Sequence, residues 1–227
     1  MDSDAFIILT ARNEADRLGD TLRALAKAFP GASLWVADDG SSDATSEIAR
    51  AAGATVVRSE RPIGKGGAAT LIARRALEEL RPPEDALAVL CDGDLGDSAE
   101  RLAELLPPLL RGEADMAIAV FARRLGGGLG AAVGFARWAI RRRCGLQLQA
   151  PISGQRALRV QTLQDVLPFA GGYGMEMGMT IDAARGGYRV HEVELDLEHR
   201  ATHRTLVGFA HRGRQLEDFV RVYLERR

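Results

Sequence analysis

Through residue 120 the chain alternates short apolar runs with helix-patterned stretches, and this alternation constrains the fold more than any other feature. Apolar runs lie at residues 6–9, 34–37, 55–57, 86–90 and 116–120. Runs this short, bounded by Gly, Ser, Asp and Pro, read as buried strands. Between them, Leu18, Leu22, Leu25 and Phe29 fall at helical spacing, and Pro30-Gly31 ends the pattern. Asp43 is placed to cap a helix over 44–52, which Gly53 stops. A glycine loop at 63–67 opens a helix that runs to Leu80 and is closed by Pro82-Pro83. Leu102, Leu105, Leu106 and Leu109 mark one more. Such alternation predicts an α/β fold, a Rossmann-like parallel or mixed sheet with helices on both faces.

After residue 120 the rhythm breaks. A glycine-rich loop at 126–130 precedes a basic amphipathic stretch over 135–143. Strands are expected over 156–160 and 189–197, and a helix over 174–184. A last helix carries Leu216, Phe219, Val220 and Tyr223 on one face. The length of 227 residues suits a single domain. It divides into a ligand-binding first half, 1–121, and a second, acceptor-shaping half, 122–227.

Two acidic clusters follow apolar runs: Val36-Ala-Asp-Asp-Gly-Ser-Ser-Asp-Ala-Thr45 and Cys91-Asp-Gly-Asp-Leu95. In open α/β sheets, ligands bind beyond the carboxyl ends of the strands. Like charges packed there call for a cation or for hydrogen-bond donors. In Asp92-Gly93-Asp94 one small residue lets both carboxylates reach a hard divalent cation, Mg2+ or Mn2+, shared with substrate phosphates. Asp38 is a candidate acceptor for a base N–H and Asp39 a second acceptor; the competing reading is an Asx turn into the next helix. Thr10-Ala-Arg-Asn-Glu14 sits opposite them after the first strand. Lys65, in Gly64-Lys-Gly-Gly67 at a helix start, is placed to meet a phosphate. That loop is not a Walker A.

In the second half, Glu176 is a candidate to hydrogen-bond or deprotonate an acceptor hydroxyl, against the reading of a solvated helix glutamate. His203 is a candidate third metal ligand, and Arg200 a phosphate contact. Arg123, Arg124 and the run 141–143 suit an anionic acceptor or lipid headgroup, against the reading of a solvated helix face. Net charge of −1 gives no global bias toward nucleic acid or membrane. The cysteines, Cys91 and Cys144, make no disulfide framework. The acidic start is not a signal peptide, and no run approaches the length of a membrane span. The expected compartment is the cytoplasm, with peripheral contact at the inner membrane face left open.

Taken in order, these segments resemble the family-two glycosyltransferases of the GT-A fold. The family's Pro-Ala-x-Asn-Glu motif corresponds to Thr10-Ala-Arg-Asn-Glu14, with Thr10 replacing Pro. The nucleotide motif, the Gly-Lys-Gly loop and Asp92-Gly93-Asp94 follow at matching intervals over about the first 120 residues. The resemblance implies a UDP- or GDP-linked sugar donor held by Thr10, Ala11, Asn13, Glu14, Asp38, Asp39, Lys65 and Asp92, with Asp94 on the metal. Ala150-Pro-Ile-Ser-Gly-Gln-Arg156 and Gly172-Tyr-Gly-Met-Glu176 are similar to glucosyl-3-phosphoglycerate synthases, which implies Glu176 and Asp94 as catalytic residues and His203 as a metal ligand. Ser153-Gly-x-Arg156 and Glu192-Val-Glu-Leu195 also resemble polyprenyl-phosphate hexosyltransferases. Arg124, Ser153, Gly154 and Arg200 are then acceptor contacts, and the acceptor is a phosphorylated small molecule or a polyprenyl phosphate. A homodimer stays open. A nucleotidyltransferase would show a Gly-rich basic loop after strand one, and a nicotinamide dehydrogenase Gly-x-Gly-x-x-Gly; neither is there. A nucleotidyltransferase acting on a sugar phosphate and a non-catalytic nucleotide-sugar-binding protein remain the alternatives.

Overall fold

The computed structural model describes residues 5–122, 130–197 and 206–226, side chains at 130–131 and 206–214 excepted. Seven strands form one sheet: β1 (Ala5–Ala11), β2 (Ser33–Asp38), β3 (Thr55–Arg58), β4 (Leu87–Asp92), β5 (Met116–Phe121), β6 (Arg156–Arg159) and β7 (Val190–Leu195). Their spatial order is β3-β2-β1-β4-β6-β5-β7. The sheet is mixed: β6 runs antiparallel to both β4 and β5, while the other neighbours pair in parallel.

Side-chain alternation along the strands builds two cores. Ile7, Leu9, Val36, Val89 and Cys91 face α1 (Leu18–Ala28), where Leu18, Leu22 and Leu25 are fully buried. Phe6, Ile8, Trp35, Ala88 and Leu90 face α3 (Lys65–Leu80). There the buried residues include Ala68, Ala69, Ala73 and Ala76, so the helix lies close to the sheet. α2 (Thr45–Ala51) follows β2. A third cluster joins α5 (Gly130–Cys144), α7 (Met175–Arg185) and α8 (Leu206–Glu225) through Ile140, Met177, Ile181, Phe219 and Val222.

Three local features depart from the sequence pattern. Residues Gly96–Leu105 form a 3-10 segment, and only Leu106–Leu110 is α-helical (α4). Pro107 and Pro108 explain why α4 begins at Leu106, because neither donates a backbone bond and each fits the first turn of a helix. A short helix, Val160–Asp165 (α6), and a 3-10 turn, Gly172–Gly174, were not evident from periodicity. Strands β1, β2 and β4 also run further than their apolar cores, so that polar residues enter the ladder: Thr10 pairs with Asp92 and Ala11 with Asp38.

Topology positions the site. From β1 the chain moves outward to β2 and β3, then returns to the other side of β1 as β4. The crevice at such a switch point is where open α/β sheets take ligands. Because β6 is antiparallel, its first residue, Arg156, lies opposite Leu90. The segment before β6 is thereby delivered to the carboxyl end of β4. Among the described residues no helix is long and apolar enough to cross a membrane.

Candidate active site

The loops after β1 and β2 are tied to each other. Asn13 has a left-handed backbone (φ 56°); its amide N–H donates to Ser41 Oγ at 2.9 Å and its Oδ1 accepts from Ser42 N at 2.8 Å. Glu14 N donates to Thr45 Oγ1 (3.0 Å) and Ala15 N to Asp43 Oδ2 (3.2 Å). Asp38 is buried, its Oδ1 accepting from Ser41 N at 2.8 Å and its Oδ2 from the Ser46 hydroxyl. Burial pushes its carboxyl up, but the hydrogen bonds from Ser41 and Ser46 outweigh it, so the group sits below the usual range. Asp39 accepts from Ile63 N (2.7 Å) and Gly64 N (3.0 Å) and so fixes the loop that enters α3.

That loop presents Lys65. Gly64 adopts φ 85°, and Gly66 lies against the chain at Ala170, where an added Cβ would fall 1.8 Å from the Ala170 carbonyl oxygen. This contact brings α3 against the turn that starts α7. Lys65 Nζ lies 2.6 Å from Asp92 Oδ1 and 2.7 Å from Glu176 Oε1. Thr10 Oγ1 also donates to Asp92 Oδ1 (3.3 Å), and Gln155 Nε2 to Asp92 Oδ2 (3.2 Å). Burial opposes ionisation of Asp92, but Lys65 overcomes it and holds the carboxyl below its ordinary value. Burial likewise opposes the ammonium of Lys65, and the charges of Asp92 and Glu176 raise it above the ordinary lysine range.

An open cleft of about 250 Å³ faces this network, lined by Asp92, Asp94, Phe121 and the segment from Gln149 to Gln155. Two charged side chains brace the segment from behind. Arg156 is fully buried and donates through Nε to Ser153 O (2.9 Å) and through Nη1 to Thr180 Oγ1 (2.9 Å). Burial pulls its pKa down to about 10 despite the nearby Glu176 and Glu192 carboxylates. Glu192, on β7, accepts from Gln149 N (2.9 Å) and Ala150 N (2.7 Å). Gly154 packs flat on the ion pair, since an added Cβ would lie 2.5 Å from Lys65 Nζ and 2.7 Å from Asp92 Oδ2.

Thr10, Ala11, Asn13, Glu14, Asp38, Asp39, Lys65, Asp92, Asp94, Ser153, Gly154 and Glu176 thus gather at one end of the sheet. The structure shows what holds several of them in place. Asp38 has no exposed side-chain surface and organises its own turn, the Asx reading. Asp92 is held by Lys65, Thr10 and Gln155. Lys65 lies between the carboxylates of Asp92 and Glu176. Glu176 is buried and ion-paired with Lys65. Gln155 and Arg156, which the sequence presented only as part of Ser-Gly-x-Arg, are structural members of the site. Arg124, Arg200 and His203 lie outside the described residues.

The family model for glycosyl transferase family 2 matches residues 6–157. The chain belongs to this family. It is 32% identical over 201 residues to glucosyl-3-phosphoglycerate synthase of Mycolicibacterium paratuberculosis, a match covering 78% of the chain. The chain spans 58% of the length of that curated relative. Among solved structures it is similar to glucosyl-3-phosphoglycerate synthase from Mycobacterium tuberculosis in complex with Mn2+, UDP and glucosyl-3-phosphoglycerate. That likeness has a TM-score of 0.76 at 29% identity and covers 98% of this chain and 79% of the other. The same mycobacterial enzyme with Mn2+, UDP-glucose and phosphoglyceric acid gives a TM-score of 0.74 at 28% identity, covering 98% and 79%. The mixed seven-stranded sheet of this family-2 chain is the GT-A arrangement expected from its sequence.

Proposed function

We propose that the chain transfers a hexosyl group from a nucleotide-diphosphate sugar to a small phosphorylated acceptor of the phosphoglycerate type. The observation that carries this reading is the placement of Asp92-Gly93-Asp94 at the switch point, facing the cleft walled by residues 149–155. The first half, 1–121, holds the donor, and 122–227 shapes the acceptor side. The phosphoglyceric acid in the mycobacterial complex supports a small acceptor over a polyprenyl phosphate.

The residues fit a divalent cation held at the Asp92-Gly93-Asp94 turn, where Asp92 and Asp94 both line the cleft. Among the described residues no group of three or more His, Cys, Asp and Glu is assembled for a metal, and the Asp92 oxygens are engaged by Lys65, Thr10 and Gln155. Asp94 on the cleft wall would hold Mg2+ or Mn2+ together with donor phosphates, the mode usual for Mg2+. When bound, such an ion neutralises charge on a departing diphosphate. Asp92 orients Gln155 and Lys65, and Glu176 keeps Lys65 in place.

A nucleotide-release screen tests this. UDP- and GDP-sugars are crossed with 3-phosphoglycerate and polyprenyl phosphate, each with and without Mg2+ or Mn2+. Metal-dependent release of nucleoside diphosphate with 3-phosphoglycerate is expected, and Asp94→Ala should abolish it while leaving the fold intact by circular dichroism. Release of pyrophosphate instead would assign the chain to nucleotidyl transfer, and full activity of Asp94→Ala would remove the metal assignment.

A further inference from the structure

Two buried polar atoms in the cleft wall make no hydrogen bond to any described residue: Ser153 Oγ and Gln155 Oε1. Their residues are only 8% and 2% exposed. Buried polar groups without partners are rare in native proteins and call for a specific explanation. Neither group is idle through looseness of the segment. Ser153 N donates to Ala150 O (3.2 Å) and Ser153 O accepts from Arg156 Nε (2.9 Å). Gln155 O accepts from Ala119 N (2.9 Å), which continues the pairing of β5 with β6. Its amide orientation is set by Asp92, because only the NH2 end is able to donate to that carboxylate at 3.2 Å. The carbonyl end is therefore an acceptor by construction.

The chemistry narrows the ligand. Gln155 Oε1 needs a donor, so it rejects a phosphate or carboxylate oxygen, and the neighbouring Asp92 reinforces that rejection. Ser153 Oγ both donates and accepts. Neutral hydroxyls suit each of the two atoms, and Gln155 is hydrogen-bonded to Asp92 of the Asp92-Gly93-Asp94 turn, which would face the donor diphosphate. The group attached to that diphosphate is the hexose. The geometry points to Ser153 and Gln155 as a subsite for hydroxyls of the donor's hexosyl group, built to read the sugar and not the nucleotide. This rests on the proposed glycosyltransferase reading, and it gives two residues of the acceptor-shaping half, one of them the expected acceptor contact Ser153, a donor-sugar role that the reading alone does not supply. Arg156 and Glu192 hold the wall in place, so the subsite is organised before ligand arrives.

Calorimetric titration with Mn2+ present tests it, using UDP, UDP-glucose, GDP and GDP-mannose on the full chain. For the nucleotide that the wild type binds, Gln155→Leu should weaken the hexosyl conjugate about tenfold and Ser153→Ala about threefold, with the bare nucleotide changed less than about twofold. Ser153→Ala leaves the Gln155–Asp92 bond intact and so guards against disruption of the acidic turn as the cause. Equal losses for nucleotide and conjugate, or no loss for either, would overturn the subsite while leaving nucleotide binding, and with it the proposed function, standing. Conjugate binding unchanged with only the KM for 3-phosphoglycerate raised would move both residues to the acceptor and overturn the donor assignment. A wild type that binds neither nucleotide nor conjugate would overturn the proposed function and the subsite together.

Discussion

Replacing Lys65 with methionine keeps the length of the side chain and removes its charge, and the structure gives the size of the effect. Lys65 Nζ bridges Asp92 at 2.6 Å and Glu176 at 2.7 Å, with side-chain exposures of 25%, 31% and 7% for the three groups. Removing one member of a buried ion pair costs about 3–5 kcal/mol, because the remaining charge is left uncompensated. Partial exposure of Lys65 and Asp92 places Lys65→Met at the low end, about 3 kcal/mol. For a chain of this size that lowers Tm by roughly 6–12 °C. The pH dependence gives a sharper check. In the wild type, Lys65 holds the Asp92 carboxyl below its ordinary value. That stabilisation is present above about pH 4 and lost as pH falls through the depressed native value. The raised pKa of Lys65 adds stability over the whole range below about pH 10. In Lys65→Met burial, the largest influence on Asp92 and one that raises its carboxyl, is opposed only by the Gln155 and Thr10 hydrogen bonds, so the native carboxyl takes up its proton at a higher pH than in the wild type. The uncompensated charge is thereby neutralised earlier as pH falls toward about 4.5, and the gap to the wild type narrows. Melts followed by circular dichroism across that interval measure the gap. A Tm within about 2 °C of the wild type, or a gap that does not change with pH, would refute the ion-bridge account.

Three further changes probe the scaffold of the site. Gly66→Ala drives a methyl group to 1.8 Å from the Ala170 carbonyl oxygen; overpacking of backbone on backbone should cost about 3 kcal/mol, visible as a lower urea midpoint at constant m. Asp39→Asn replaces one of two acceptors with a donor facing Ile63 N and Gly64 N; a loss of about 1–3 kcal/mol is expected, with donor KM raised more than kcat falls. Glu192→Gln leaves one of the Gln149 and Ala150 amides without its carboxylate; amide hydrogen exchange at these two positions should accelerate by roughly tenfold while exchange in β1 and β4 stays unchanged.

What the sequence disclosed depended on how local the determining interactions are. Strands β1, β2, β4 and β5 and helices α1 and α3 were legible because their apolar spacing is a property of a few consecutive residues. Insertion of β6 between β4 and β5 was not, since nothing in Arg156–Arg159 records which strands it will pair with. The acidic clusters were legible as positions, but the partners that hold each carboxylate were not. Whether Asp38 offers its oxygens to a ligand or to Ser41 and Ser46 depends on the turn that follows, and that turn closes on the aspartate itself. Gln155 was invisible for a different reason. It fills the variable position of Ser-Gly-x-Arg, and its importance comes from its reach to Asp92 on another strand.

The carboxylates at the switch point then divide by what surrounds them. Asp92 and Glu176 share one lysine, which offsets the repulsion that the two carboxylates would otherwise exert on each other. A cation bound between Asp92 and Asp94 would compete with Lys65, which sits on Asp92 Oδ1, and with Gln155, which donates to Oδ2. A cation bound to Asp94 and donor phosphates leaves the Lys65 bridge whole. That arrangement makes a prediction of its own: Asp92→Asn should weaken Mn2+ binding in the presence of UDP far less than Asp94→Asn does, while breaking the bridge and so lowering Tm. Equal losses of Mn2+ affinity in the two variants would return Asp92 to the metal.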